Sequence, residues 1–173
     1  GSAKYSRKGS ELACDALYNY LYERRDSYFE RENLGPAISN YLADKSTDNI
    51  TPISNEVYYV IWEAVKHARQ ALIDHAQENE HELRDYSTTL LLSLVFNLDD
   101  KFFIASYSVG DGVIAKVEAD KVKMISEPDG GEFAGQTRFL TMSSALDAFG
   151  ERFKPALFNT LDTLYLMTDR KST

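Results

Sequence analysis

The run Asp85-Tyr86-Ser87-Thr88-Thr89-Leu90-Leu91-Leu92-Ser93-Leu94-Val95 leads from a polar cluster directly into an almost unbroken apolar segment. Over residues 88–97, apolar side chains occupy both faces of a two-residue period. Strands that are buried on both faces show this pattern. The stretch therefore predicts a central, buried strand, around which we expect the rest of the fold to assemble.

Short turns follow this strand. Asp99-Asp100 separates it from an apolar segment over 102–109, and Gly110-Asp111-Gly112 separates that segment from the next one. Glycine and aspartate are typical of tight turns between antiparallel strands. We therefore predict an antiparallel meander of four strands, over residues 88–97, 102–109, 113–117 and 122–125.

Two amphipathic helices are predicted before the strands. Residues 10–22 and 55–78 each place apolar side chains at helical spacing, and Ser54 is a suitable N-cap for the second helix, two residues after Pro52. The charged stretch 23–33 dilutes the first pattern, so it predicts either a helix end or a mobile connection.

Shorter elements are predicted elsewhere from turn residues and local periodicity. They are a helix over 37–43, loops over 44–49 and 126–131, a loop and strand over 133–141, a helix over 144–149, and strands over 156–159 and 163–168.

The composition is that of one ordinary domain, which we expect to span residues 1–173. With 43% hydrophobic residues, the chain can bury a core of its own. Its net charge of −8 argues against nucleic acid as a partner, because phosphate backbones are held by clusters of lysine and arginine. The sequence has no apolar run long enough to cross a bilayer, which argues against a membrane partner.

Cys14 is the single cysteine of the chain, so an internal disulfide is excluded. Reduced cysteines are usual in the cytoplasm, and we expect the protein to be located there. The predicted helix over 10–22 contains Cys14, which is expected to be a small packed residue rather than a nucleophile.

The Ser/Thr cluster with its apolar strand, followed by Val109-Gly110-Asp111-Gly112, resembles the middle of a metal-dependent protein phosphatase of the PP2C type. That family has Gly-Ser-Thr-Ala before an apolar strand and a later Val-Gly-Asp-Ser-Arg. The segment from Gly131 to Thr141, Gly-Glu-Phe-Ala-Gly-Gln-Thr-Arg-Phe-Leu-Thr, is similar to one in bacterial members. Leu164-Tyr165-Leu166-Met167-Thr168-Asp169 is similar to the strand that carries a metal-binding aspartate. The resemblance implies an α+β fold: an antiparallel β-sandwich flanked by helices in four α-β-β-α layers, here incomplete.

Two motifs of that family have no counterpart in this sequence. The family's early Asp-Gly-x-Gly would precede the opening Gly1-Ser2-Ala3-Lys4, which is either the tail of that motif or a tag scar. The family continues with glycine after the aspartate and later supplies an Asp-Asn pair, whereas Asp169 is followed here by Arg170. We therefore expect a fragment that is truncated at both ends, lacks most of the metal site and is inactive alone.

Asp169 and Asp111 are the candidate metal ligands. Considered alone, each is an ordinary turn or strand-end residue. Carboxylates at such positions nevertheless suit Mg²⁺ or Mn²⁺, which prefer oxygen ligands. The resemblance implies that Asp169 is a core ligand and that Asp111 is a ligand of an additional metal. It further implies a pair of Mn²⁺ or Mg²⁺ ions that activates a water for attack on phosphorus.

Other side chains give weaker signals. His67, His75 and His81 do not form a His-x-x-x-His pair, so surface or core-edge roles are favoured for them. Arg138 follows a glycine-rich segment and is a possible contact of a substrate phosphate, although solvent exposure is favoured. No catalytic side chain is assigned, and the substrate-binding residues stay unknown.

The leading hypothesis is dephosphorylation of phosphoserine or phosphothreonine in a phosphoprotein substrate. The alternative is a non-catalytic, phosphatase-like binding or regulatory module, and a regulatory pair with a kinase is a third hypothesis. An incomplete sandwich leaves strand edges unpaired, which predicts a homodimer formed through those edges.

Overall fold

The computed structural model describes residues 3–30, 33–118, 121–128 and 137–168. Helices come first along the chain and strands follow, apart from two short helices between the fourth and fifth strands. The helices are α1 (Ser6–Glu30), α2 (Leu34–Ala43), α3 (Ile50–Glu78), α4 (Ser144–Asp147) and α5 (Phe149–Arg152). The strands are β1 (Leu90–Asn97), β2 (Phe102–Val109), β3 (Val113–Glu118), β4 (Lys121–Ser126), β5 (Phe153–Phe158) and β6 (Thr163–Met167).

The described strands form two antiparallel sheets. Sheet A has the order β1-β2-β5, and sheet B has the order β4-β3-β6. In sheet A, Val109 is opposite Leu90, and Tyr107 is opposite Phe153. An α+β fold with an antiparallel β-sandwich and flanking helices is therefore confirmed.

The predicted continuous meander is wrong at its centre. The hairpins β1-β2 and β3-β4 form as predicted, but β2 and β3 belong to different sheets. The link between them is Gly110-Asp111-Gly112, where Gly110 has φ +114°. A Cβ on Gly110 would collide with the Thr89 side chain, and one on Gly112 would lie 2.8 Å from Leu91 Cδ1. The chain passes through this tight space from sheet A to sheet B. The glycines therefore allow the backbone to cross between the sheets rather than to form a hairpin turn.

The main core lies between the helices and sheet A. α3 and α5 pack against this sheet, and α1 and α2 pack against α3. The rings of Tyr107 and Phe149 stack at 4.8 Å, and the Tyr107 hydroxyl donates to the backbone oxygen of Ala145 at 2.9 Å. Fully buried side chains on α3 and β2 fill the centre of this core: Ile53, Val57, Ile61, Ala64, Val65, Ala68, Leu72, Phe103, Ala105, Tyr107 and Val109.

The layer between the two sheets is smaller and more polar. Ser108 on β2 and Ser126 on β4 join their hydroxyls in a hydrogen bond across this layer. Lys116 on β3 is 2% exposed, and its ammonium lies 4.3 Å from the centroid of the Phe158 ring on β5. The same ammonium donates to the Glu118 carboxylate at 2.6 Å. The apolar core that stabilises the fold is thus concentrated on the helical side of sheet A.

Both long helices are longer than predicted. α1 continues through the charged stretch to Glu30, so the predicted helix end or mobile connection is wrong for residues 23–30. Tyr28 is buried there, and the Arg24 guanidinium lies 4.0 Å from the Tyr20 ring centroid one turn earlier. α3 begins at Ile50, so Ser54 is not its N-cap. Pro52 lies in the first turn, where a missing backbone N–H costs no helical hydrogen bond.

Several shorter predictions are also corrected. Cys14 is exposed, because it lies about 100° around the helix from the buried Ala13. Residues 137–141 form no strand, although the Leu140 N–H donates to the backbone oxygen of Thr88 at 2.8 Å. The helix predicted over 144–149 is the two short helices α4 and α5, and the predicted strand over 156–159 begins earlier, at Phe153. The predicted helix over 37–43 and the strand over 163–168 are confirmed as α2 and β6.

Within the residues that the structure describes, no helix is both long and apolar enough to span a membrane.

Candidate active site

Asp111 lies between the two sheets, on the three-residue link from β2 to β3. Its side chain is half-buried, and buried glycines precede and follow it. The space beside Gly112 is also limited, since a Cβ there would lie 3.0 Å from the backbone oxygen of Met167 on β6. The carboxylate is therefore attached to a segment whose path is fixed by packing from both sheets.

The register of sheet B pairs the strand that follows Asp111 in the sequence with the strand that precedes Asp169. Val113 is opposite Met167 in the antiparallel pairing of β3 with β6. Asp111 precedes Val113 by two residues, and Asp169 follows Met167 by two residues. Asp169 itself lies outside the described residues. The described pairing thus ends two residues short of each candidate aspartate.

A cleft of about 560 Å³ opens between the sheets at this end of the sandwich. Its lining includes the hydrogen-bonded hydroxyls of Ser108 and Ser126, at the ends of β2 and β4. Among the described residues, the charged side chains in its lining are the cations Arg138, Arg152 and Lys154 and the carboxylates Glu127 and Glu151. We call this feature the cationic cleft.

The cationic cleft adjoins the segment that carries Asp111. A Cβ on Gly110 would lie 3.5 Å from the backbone oxygen of Arg138, so the cleft wall and the sheet-crossing link are direct neighbours. Arg138 is exposed, as the sequence favoured, and it also lines the cleft. The positive charges of Arg138, Arg152 and Lys154 and the Asp111 carboxylate therefore lie at the same end of the described structure.

The described residues do not by themselves supply a two-metal site. No group of three or more histidine, cysteine, aspartate or glutamate side chains comes together in the described ranges. Asp111 offers one carboxylate, whereas a pair of Mg²⁺ or Mn²⁺ ions needs several oxygen ligands. The described donor set is therefore too small for the metal pair that the sequence resemblance implies.

The three histidines have packing partners in the structure. The His67 ring lies 4.9 Å from that of Tyr20, and the His75 ring meets Tyr86 edge-on at 5.3 Å. The His81 Nδ1 is 2.7 Å from the Tyr86 hydroxyl. Burial raises the pKa of that tyrosine, which keeps its hydroxyl protonated at neutral pH. The predicted surface and core-edge roles of the histidines are confirmed.

Four residues that line the cationic cleft were not predicted from the sequence as site residues: Ser108, Ser126, Arg152 and Lys154. No local spacing marks Arg152 and Lys154 as a pair, because Arg152 ends the short helix α5 and Lys154 lies on β5. Both line the cationic cleft. The serine pair is brought together by the packing of sheet A on sheet B, which no local pattern shows.

Comparison with protein families matches residues 1–169 to the family described as protein phosphatase 2C. No curated protein matches the chain. The match covers the Ser/Thr cluster, the sheet-crossing link and both candidate aspartates. Members of this family are protein phosphatases that generally depend on Mn²⁺ or Mg²⁺. The two antiparallel sheets and the helices on sheet A agree with this assignment. The chain therefore belongs to the protein phosphatase 2C family.

Proposed function

We propose that this protein hydrolyses phosphoserine and phosphothreonine in protein substrates, with Mn²⁺ or Mg²⁺ as cofactor. The observation that carries the proposal is the β3-β6 register, which ends two residues from Asp111 on one strand and two from Asp169 on the other. Bound metal would supply an activated water as the nucleophile.

The chain's own residues are assigned two tasks in this proposal. Asp111 and Asp169 offer carboxylate oxygens to the metal, while the cationic cleft attracts and orients the phosphate group. Arginine suits this second task because its planar guanidinium forms paired hydrogen bonds with phosphate oxygens. We place the activity in the cytoplasm, since the lone cysteine suits a reducing compartment.

A non-catalytic, phosphatase-like binding module is the second candidate. The observation that favours it is the small donor set, since the described ranges bring no three metal-ligating side chains together. Under this alternative, the cationic cleft would bind phosphorylated proteins without hydrolysing them. We propose that the 173-residue chain alone behaves in this way and that hydrolysis needs metal ligands beyond the described donor set.

The test is Mn²⁺-stimulated hydrolysis of a phosphothreonine peptide by the 173-residue chain and by versions of it extended at either end. We expect Asp169→Asn to lower the activity of the active form at least about a hundredfold, because it removes a charged metal ligand. Asp15→Asn is the matched control, since this exposed residue on α1 loses the same charge.

Full activity in Asp169→Asn would contradict the assigned metal site. If every form lacks both hydrolysis and Mn²⁺ binding, the binding module replaces the enzyme as the better explanation.

A further inference from the structure

A small pocket of about 300 Å³ lies between α3 and the junction of α4 with α5. Its described lining includes the aromatic side chains of Tyr58, Tyr59, Trp62 and Phe149 and the carboxylate of Asp147. We call this feature the aromatic pocket. It shares no described residue with the cationic cleft.

The inner wall of the aromatic pocket is held in place by the main core. The Tyr58 ring meets the rings of Phe149 and Phe153 edge-on, at 5.0 and 5.1 Å. Phe149 is buried and stacks on Tyr107. Gly150 has no side chain, and a Cβ there would lie 3.9 Å from the Tyr58 hydroxyl. The space beside this hydroxyl is therefore open, while core contacts fix the positions of the rings around it.

The outer wall of the aromatic pocket presents ring surface to solvent. Tyr59 is 60% exposed, and Trp62 is partly exposed. The faces of such rings are electron-rich and attract cations. Trp62 already holds one, because the Lys66 ammonium lies 3.9 Å from its ring centroid and 2.8 Å from the Glu63 carboxylate. This surface of α3 thus contains a cation held between an aromatic ring and a carboxylate.

Asp147 supplies a carboxylate for a second arrangement of the same kind. Its side chain is exposed, and within the described ranges it takes part in no ion pair. The whole chain carries a net charge of −8, so its long-range field attracts cations. Charge complementarity therefore favours a cationic ligand in the aromatic pocket over an apolar or anionic one.

Arginine is the side chain that best fits these contacts. Its planar guanidinium stacks on aromatic faces and forms two parallel hydrogen bonds with a carboxylate, whereas the lysine ammonium is a compact point charge. A volume of about 300 Å³ is at the lower end of the range for ligand sites. The aromatic pocket therefore suits one inserted side chain rather than a long segment.

We propose that the aromatic pocket binds an arginine side chain of a partner protein, with the guanidinium against Tyr59 and Trp62 and paired with Asp147. Because α5 lines both the aromatic pocket and the cationic cleft, such a partner would lie beside the candidate active site. Binding of this kind requires neither metal nor hydrolysis, so it can be tested separately from the proposed function.

Trp62 is the single tryptophan of the chain, so its fluorescence reports directly on the aromatic pocket. The experiment titrates the 173-residue chain, without metal, with blocked tripeptides in which arginine, lysine or citrulline stands between two glycines. Tetramethylammonium is the fourth probe. We expect a saturable change in emission, with the arginine peptide binding at least about tenfold more tightly than the citrulline peptide, because citrulline has a similar shape but no charge.

A double variant tests the contacts assigned to the guanidinium. Tyr59→Ala with Asp147→Asn should weaken binding of the arginine peptide at least about tenfold, because it removes one ring and the carboxylate charge. Both residues are exposed, so the fold should tolerate the changes. Tyr18→Ala with Asp15→Asn, on α1 outside the aromatic pocket, is the matched control, since Tyr18 is 62% exposed against 60% for Tyr59. The control should bind as tightly as the unaltered chain.

Equal affinities for the arginine and citrulline peptides, or no saturable change in emission, would overturn the proposal. Unchanged affinity in the variant of Tyr59 and Asp147 would do the same, because the peptide would then bind elsewhere. If lysine or tetramethylammonium binds as tightly as the arginine peptide, the aromatic pocket accepts cations in general and the assignment to arginine is overturned.

Discussion

Gly110 is the residue at which the backbone leaves sheet A for sheet B. Its φ of +114° strains any residue with a Cβ, and that Cβ would collide with the Thr89 side chain. We expect Gly110→Ala to lower the free energy of unfolding by about 2–4 kcal/mol, from backbone strain and overpacking together. Urea unfolding followed by circular dichroism measures the change.

Gly150→Ala is the control for this substitution. A Cβ on Gly150 would meet the Tyr58 hydroxyl at an ordinary 3.9 Å, and the residue lies in α5. The free energy of unfolding of Gly150→Ala should stay within about 1 kcal/mol of that of the unaltered chain. Equal stabilities of the two variants would show that the Gly110 backbone can relax without cost.

Asp100, in the turn between β1 and β2, connects this turn to α2. Burial pushes the pKa of its carboxyl upward, but the hydrogen bond from Lys45, a backbone hydrogen bond and the charges of Lys45 and Lys101 together outweigh burial, so the pKa falls below its ordinary value. The Lys45 ammonium is 3.2 Å from the carboxylate, and the buried Tyr41 hydroxyl donates to it at 3.4 Å.

A lowered folded-state pKa means that ionised Asp100 stabilises the fold at neutral pH. This contribution is present above the unfolded pKa and is lost as the pH falls through the folded pKa, below about pH 4. We expect the free energy of unfolding of Asp100→Asn to fall less steeply as the pH is lowered. The difference should be small, because solvent screens the charge at this partly exposed site. Urea unfolding from pH 2.5 to 7 tests this, with the neighbouring Asp99→Asn as control. If the free energy of unfolding falls equally steeply with decreasing pH in the unaltered chain and both variants, the pairing of Asp100 with Lys45 does not stabilise the fold.

At the scale of elements, the helices and hairpins could be predicted because their patterns are local. The apolar stripe of α3 and the two-residue period of β1 each appear within a dozen residues. The crossing between sheets could not be predicted, because Gly110-Asp111-Gly112 suits a hairpin as well as a change of layer. Packing by Thr89 and Leu91, about twenty residues earlier in the chain, fills the space beside the glycines.

Only part of the candidate site could be predicted, again because local patterns are visible in the sequence and long-range packing is not. Asp111 follows from a motif, whereas the cationic cleft combines Arg138 from a loop, Arg152 from a short helix and Lys154 from β5. Such a combination depends on how the sheets stack, and no spacing within the sequence records it. The prediction ended α1 too early, because its last turns do not continue the apolar period. Arg24 and Arg25 instead pack over the rings of Tyr20 and Tyr22.

The inter-sheet contact of β3 with β5 supports a further prediction. The Lys116 side chain is buried against the Phe158 ring, while its partner Glu118 is 45% exposed. Lys116→Met keeps the buried volume and leaves the glutamate solvated, so stability should change by no more than about 1 kcal/mol. Lys116→Ala should cost about 2–3 kcal/mol, because it leaves a cavity.

Thermal and urea unfolding of the two Lys116 variants would separate the roles of charge and volume. If the methionine variant is as unstable as the alanine variant, the ammonium and not the side-chain volume holds the sheets together.

For the whole molecule, the edges of the described sheets differ in their protection. β4 carries Lys121 and Lys123, and β5 carries Lys154 and Pro155, which discourage pairing with another chain. The edge strands β1 and β6 have no charged residue, but β6 exposes Tyr165, Leu166 and Met167, whereas the exposed large apolar side chain on β1 is Val95. We therefore expect a homodimer in which β6 pairs with its copy.

Sedimentation velocity over a range of concentrations tests for this dimer. Tyr165→Lys should shift the protein toward the monomer, because it adds a charge to the pairing strand. Val122→Lys, on the already charged β4, should leave the distribution unchanged. A monomer at every concentration of the unaltered chain would rule out the β6 pairing.

The uneven layering of the molecule has a consequence for how it opens. The packed aromatic and aliphatic core joins the long helices to sheet A, while sheet B is held across a layer that includes serines and a lysine. Local cooperative units separate where buried apolar contact is least. Sheet B should therefore detach at a lower free energy than global unfolding requires, and its amide hydrogens should exchange first. Because Asp111 is on the hinge between these units, partial opening would dismantle the candidate active site while the helical half stays folded.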